Sequence, residues 1–226
     1  MLSKKYKILI KRLGLEKIVN HLRYIKYLRY LTTESPAYLY STGYTNSFYK
    51  SNPVDIYNNP VPWMNYSFVK FFTERLDKSM TIFEFGSGNS TLYLSKYVKN
   101  ITSVEYDLDW YNKICVLSNH IENIHILYKD LKPASDYFKS IARNMIYDII
   151  LIDGRKRVLC AKIALEYIAK NGIIILDNSE RSRYSEIFAL YRNYGFKELT
   201  ISGMAPLGLN VYLTTIFYKS NNIFNI

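Results

Sequence analysis

Residues 81–95 read TIFEFGSGNSTLYLS: a short apolar run, two glycines around one serine, then a run with helical spacing. Strand, glycine turn and helix in that order form the cradle that open α/β sheets offer to nucleotides, beyond the carboxyl end of a strand. The loop itself is Gly86-Ser87-Gly88-Asn89-Ser90. A dinucleotide fingerprint G-x-G-x-x-G needs a third glycine where Thr91 stands, and the Walker pattern G-x-x-x-x-G-K-[ST] is absent. Both phosphate-binding readings weaken. Glu84, at the end of the strand, is expected to point into the cradle, where it would repel a pyrophosphate but suit a ligand bearing an ammonium and a sulfonium.

Outward from this stretch the pattern alternates. Helices are expected over 64–77, 90–98, 108–118, 134–143, 158–170 and 181–193, and strands over 81–85, 101–105, 123–128, 147–153 and 172–177. Runs such as YDIILID and GIIILD lack polar alternation, as parallel strands buried on both faces do. FKELTIS and NVYLTTIFYK then follow one another with only a loop between them, which predicts an antiparallel hairpin on the edge of an otherwise parallel, seven-stranded sheet.

A chain of 226 residues with 49% hydrophobic content can bury the core of one such α/β domain, expected over 63–226. Residues 32–62 lack periodicity and carry turn formers, which predicts an irregular linker or lid. Residues 1–31 read as a basic amphipathic helical extension: Leu15, Ile18, Val19, Leu22, Ile25 and Leu28 recur at helical steps among cations. Of the formal charge of +11, residues 1–30 hold nine Lys and Arg against one acid, Glu16. An anionic membrane surface could therefore bind this arm, and a dimer contact, a lid or packing on the core are the other readings. No apolar run approaches a membrane span, and Cys115 and Cys160 read as packed thiols, so a cytoplasmic protein is expected, peripheral to the inner face of the membrane if the arm binds lipid.

Two further acids follow the next two strands. Glu105 closes the second strand, where a carboxylate can accept hydrogen bonds from both ribose hydroxyls, and Asp130 follows the third, where it could accept from an adenine amino group. The ordered set FEFGSGNST, VEYD, DIILIDGR and GIIILDN, with the terminal hairpin, resembles the class I S-adenosylmethionine-dependent methyltransferases over about residues 60–220. The resemblance implies a Rossmann-like methyltransferase fold with S-adenosylmethionine as cofactor. It implies Glu84, Gly86, Ser87 and Gly88 around the methionine part, Glu105 on the ribose, and Tyr106 over the adenine. PVPWMNYSFVKFF, DGRKRVLCA, LDNSERSRY and GLNVYLTTIFYK further resemble methyltransferases of bacterial capsule and O-antigen sugar clusters. That narrower likeness implies a sugar or other glycan hydroxyl as acceptor.

Methyl transfer to an alcohol needs the acceptor aligned in line and its proton removed. Asp153 and the Asp177-Asn178 pair, at the ends of the fourth and fifth strands, are positioned for that work. Two arrangements are open. Asp153, Asp177 and Asn178 resemble the Mg²⁺ ligands of catechol-type O-methyltransferases, a metal that would lower the acceptor's pKa. Without metal, Asp153 is the general base, Lys156 or Arg155 stabilises oxyanion charge, and Asp177 orients the acceptor. Clustered cations in DGRKR would compete with a bound Mg²⁺, and Asp177-Asn178 also suits capping of a helix starting near Arg181. His120 and His125 are alternative bases, and Trp63, Asn65 and Tyr66 either cover the cofactor or anchor their helix.

DNA is disfavoured as a substrate. The [DN]-P-P-[YFW] tetrad of amino methylation is replaced by IDGR, and neither cysteine follows a proline as cytosine C5 chemistry needs. RNA and small phenols remain alternatives, as does a non-catalytic module that binds S-adenosylmethionine and works through its basic helix.

Overall fold

The computed structural model describes residues 13–132, 134–142 and 145–226, in a first compact unit ending at Asn59 and a second over Pro60–Ile226. In the first unit α1 (Glu16–Thr33) has no buried residue, and Leu15, Ile18, Leu22, Ile25 and Leu28 along it are exposed. The arm's remaining cations, Lys4, Lys5, Lys7, Lys11 and Arg12, lie outside the described residues.

The segment expected to be irregular instead holds α2 (Tyr38–Ser41) and α3 (Tyr44–Lys50). Gly43, at φ 73°, reverses the chain between them, and a Cβ there would lie 2.4 Å from the Val54 carbonyl. The Ser47 hydroxyl then exchanges two 2.9 Å hydrogen bonds with the Val54 backbone. Helices of four and seven residues are too short to display a period, so the sequence pattern passes over them.

In the second unit α4 (Tyr66–Thr73) precedes β1 (Thr81–Phe85), α5 (Asn89–Leu94), β2 (Asn100–Glu105), α6 (Leu108–Ser118) and β3 (Ile124–Tyr128). After these come α7 (Ala134–Phe138), β4 (Tyr147–Ile152), α8 (Arg157–Tyr167), β5 (Ile168–Asp177), α9 (Ser185–Asn193), β6 (Lys197–Gly203) and β7 (Tyr212–Tyr218). The seven-stranded sheet runs β3-β2-β1-β4-β5-β7-β6, parallel from β3 to β5, with β7 inserted antiparallel between β5 and β6. The expected mixed sheet with its C-terminal hairpin is therefore the observed one.

Both faces of the central strands are covered. Phe83, Phe85, Ile150, Ile152, Ile174 and Leu176 pack on one side with Cys160, Ala161 and Ala164 of α8 and Ile187 and Tyr191 of α9. Ile82, Ile101, Ile149, Leu151, Ile173 and Ile175 pack on the other with Phe68 and Phe72 of α4. Each buried Ile, Leu or Phe among them stabilises the fold by about 1.5–3 kcal/mol, so the strand ends are held on a rigid platform.

Candidate functional site

The chain winds away in opposite directions from β1 and β4, so the carboxyl ends of these two strands border the crevice where such sheets take ligands. The loops leaving them touch. A Cβ on Gly86 would lie 2.8 Å from the Gly154 Cα, and one on Gly154 would lie 2.8 Å from the Phe85 carbonyl and 2.0 Å from the Tyr137 hydroxyl. Gly86 also takes φ +99°, a conformation side chains rarely adopt.

The expectation that Glu84 points at a ligand needs correction. Its carboxylate is fully buried and accepts hydrogen bonds from the hydroxyls of Ser90, Thr91 and Ser103, the last at 2.6 Å. The reason is register: Ser103 of β2 sits opposite Glu84, and α5 brings Ser90 and Thr91 over it. Glu84 thus ties the glycine loop to the sheet from beneath. Burial pushes it up to about 7 against the pull of those hydroxyls.

Glu105 is the acid that borders the loop. At 4% exposure, it accepts from the Ser87 N–H (3.1 Å) and hydroxyl (3.4 Å) with one oxygen, and from the Tyr106 and Asp107 N–H groups with the other. Sequence reasoning missed Trp110 of α6, whose indole N–H donates to the Ser87 carbonyl at 2.8 Å and whose ring faces Gly88. Its placement follows from Asp107, which caps α6 by accepting from the Trp110 N–H. Asn89 opens α5 directly after the loop. Asp130 is exposed and bonds the Lys132 N–H of its own turn, so it stands apart from the other acids.

On the other side of the crevice Asp153 and Asp177 form an electrostatically coupled pair, each charge bearing on the other's proton. Asp153 keeps 25% of its side chain exposed, while Asp177 is 1% exposed. Burial raises both, and the neighbouring Asp153 charge adds to the rise of Asp177, which reaches about 8. Asp177 is therefore the member that favours holding a proton at neutral pH, and Asp153 the member that pairs with a cation. Asp177 accepts from the Thr214 hydroxyl of β7 at 2.7 Å, and Thr214 in turn accepts from the Asn65 amide at 3.0 Å. Asn65 also caps α4 through the Phe68 N–H and donates to the Ile201 carbonyl, so it anchors that helix to the hairpin. Trp63 is exposed.

The cation of this pair is Arg157, while Lys156 and Arg155, the residues expected to stabilise oxyanion charge, are exposed. Arg157 is 6% exposed and donates to the Asp153 carboxylate (2.8 Å), the Asn178 side-chain oxygen (3.3 Å) and the carbonyls of Asp153, Gly154 and Asp177. Lys156 is exposed, with φ 54°, at the cap of α8, which turns the next residue inward. The spacing of Asp153 and Arg157, four residues apart, was the available signal. Asp177 does not cap the helix after it: α9 begins only at Ser185.

The proposed Mg²⁺ set does not fit these residues. Asp153 and Asn178 already accept from one guanidinium, Asp177 is turned to Thr214, and among the described residues no group of three His, Cys, Asp or Glu converges on a metal position. His120 lies in an exposed turn and His125 on the edge strand β3, so neither reaches the pair.

The raised carboxyls give the fold a pH dependence. Unfolded, Asp177 and Glu84 titrate near 3.8 and 4.5, whereas folded they titrate near 8 and 7. The native chain thus keeps protons that the unfolded chain has released, and their contribution is full below the unfolded values and lost as pH rises through about 7 and 8. Thermal melts between pH of about 5 and about 9 are expected to show a falling midpoint, with a shallower fall in Asp177→Asn. Parallel curves for the two proteins would show that Asp177 is not raised.

No protein-family model and no curated protein matches the chain. Among solved structures it is similar to a methyltransferase-like protein from Silicibacter pomeroyi, with 19% identity and a TM-score of 0.54 over 71% of this chain and 90% of that one. It is also similar to precorrin-6y C5,15-methyltransferase from Geobacter metallireducens, with 14% identity and a TM-score of 0.53 over 67% and 86%. An rRNA methylase from Streptococcus thermophilus aligns with 12% identity and a TM-score of 0.51 over 66% and 93%. These likenesses show the fold: an α/β sheet of the kind methyltransferases use. No helix among the described residues is long and apolar enough to cross a membrane.

Proposed function

We propose that the chain is an S-adenosylmethionine-dependent methyltransferase that methylates a hydroxyl, on a sugar or glycan precursor. The observation that carries this is the Asp153–Asp177 pair with its buried Arg157, set beside a glycine loop whose bordering acid is Glu105. Glu105 can exchange its longest bond, from the Ser87 hydroxyl at 3.4 Å, for a ribose hydroxyl. Gly88 is backed by the Trp110 ring, which a Cβ there would meet at 3.8 Å, an ordinary contact. Tyr106 lies next along the chain for the adenine. S-adenosylmethionine supplies an electrophilic methyl group on a positively charged sulfur.

Asp153 does the proton work. It is the partly exposed member of the pair, and a raised pKa makes its carboxylate a stronger acceptor for the hydroxyl proton of the acceptor. Arg157 fixes its rotamer. The resemblance to sugar-cluster methyltransferases supports the choice of acceptor.

Calorimetry with S-adenosylmethionine, followed by a methyl-transfer screen over nucleotide sugars, lipid-linked glycans, catechols and RNA with and without EDTA, tests the reading. Binding below about 1 mM and activity indifferent to EDTA are expected. Absence of binding sinks the enzyme, and transfer confined to RNA overturns the acceptor. Loss of activity with EDTA overturns the role given to Arg157.

A further inference from the structure

We infer that the acceptor carries a diphosphate, held by Arg155, Lys156 and Arg183 on the rim beside Asp153; this rests on the methyltransferase reading above. Segments 153–157 and 177–183 hold five Lys and Arg against three acids. Two of those cations are paired: Arg157 with Asp153, and Arg181 with Glu180 at 3.9 Å. Among the described residues no carboxylate lies within ion-pair distance of Arg155, Lys156 or Arg183, all of them exposed.

The two arginines are also oriented. Arg155 donates through Nε to the Tyr106 hydroxyl at 3.1 Å and lies 5.4 Å from that ring's centre. Arg183 lies 5.0 Å from the ring of Tyr184, on which Arg157 also rests at 5.4 Å. Aromatic contacts of this kind hold a guanidinium by its face and leave its outer N–H groups for an anion. Glu105 borders the loop after β1, whereas Arg155, Lys156 and Arg183 follow β4 and β5. A single carboxylate would neutralise one of three cations, whereas a diphosphate matches three donors from two loops. Held there, such a group would lie away from Glu105 while its sugar hydroxyl reaches Asp153. The diphosphate could belong to a nucleotide sugar or to a prenyl-linked sugar.

The test measures binding of inorganic pyrophosphate and of S-adenosylmethionine by calorimetry, for the natural chain and for Lys156→Gln/Arg183→Gln. Methyl transfer is then compared on a nucleoside-diphosphate hexose, a prenyl-diphosphate hexose, the free hexose and an RNA oligonucleotide. Pyrophosphate is expected to bind the natural chain and to weaken about 10- to 100-fold in the double variant, with S-adenosylmethionine affinity unchanged. One diphosphate hexose should outrun the free hexose by a similar factor, and which one identifies the source. Equal pyrophosphate binding by both proteins, equal rates on free and diphosphate hexose, or preference for RNA overturns the inference while leaving methyl transfer intact. Failure to bind S-adenosylmethionine strikes the underlying reading instead.

Discussion

With Asp153 replaced by Asn, methyl transfer is expected to fall by about 10²- to 10⁴-fold, the range that a positioned general base contributes. Asparagine can still accept from Arg157 through its side-chain oxygen, so the 2.8 Å contact that fixes the rotamer survives while the basic oxygen is lost. Affinity for S-adenosylmethionine should change little, because Glu105 and the glycine loop are untouched. Single-turnover rates with calorimetry on the same preparation separate the two effects. A variant within about threefold of the natural rate would show that another group takes the proton.

Gly154→Ala is expected to damage both halves of the crevice at once. The added methyl would sit 2.0 Å from the Tyr137 hydroxyl and 2.8 Å from the Phe85 carbonyl, closer than side-chain carbons approach anything. Overpacking of this kind costs about 1–3 kcal/mol or more, which for a chain of this size lowers the melting temperature by about 2–12 °C. The shift must be taken up by the loops after β1 and β4, so cofactor affinity and transfer rate should fall together. Adding Tyr137→Phe removes the nearer clash and leaves the backbone one, so the double variant should recover part of the lost melting temperature and less of the activity. Unchanged melting in Gly154→Ala would show that the loops are looser than their contacts imply.

Much of the platform was legible because its physics is local. TIFEF and LDWYNKICVLS carry their strand and helix in their own residues, and β1 (Thr81–Phe85) and α6 (Leu108–Ser118) fall where the pattern puts them. The acids at the strand ends were legible for the same reason: the end of an apolar run marks a strand's edge. Their orientation was not. Glu84 shares a sheet face with Ile82 and meets Ser103 across the register, a pairing that depends on how β1 and β2 align. Arg157 was hidden among three neighbouring cations, since charge alone does not say which one the Gly154 turn and the Lys156 cap swing inward. Thr214 reaches Asp177 only because β7 inserts beside β5, a partnership made between residues 37 apart.

That last partnership bears on how such a site could be retuned. The hydroxyl that holds the buried member of the pair comes from the final strand of the sheet, and its own partner, Asn65, comes from the helix that opens the unit. Trading the closing hairpin between related chains would therefore trade the basicity of the pair along with the sheet edge. Threonine at this place sets one strength, and serine, valine or asparagine would set others without a change at either aspartate. A graft that kept both acids but lost this hydroxyl would keep the shape of the site and change the pH at which it works.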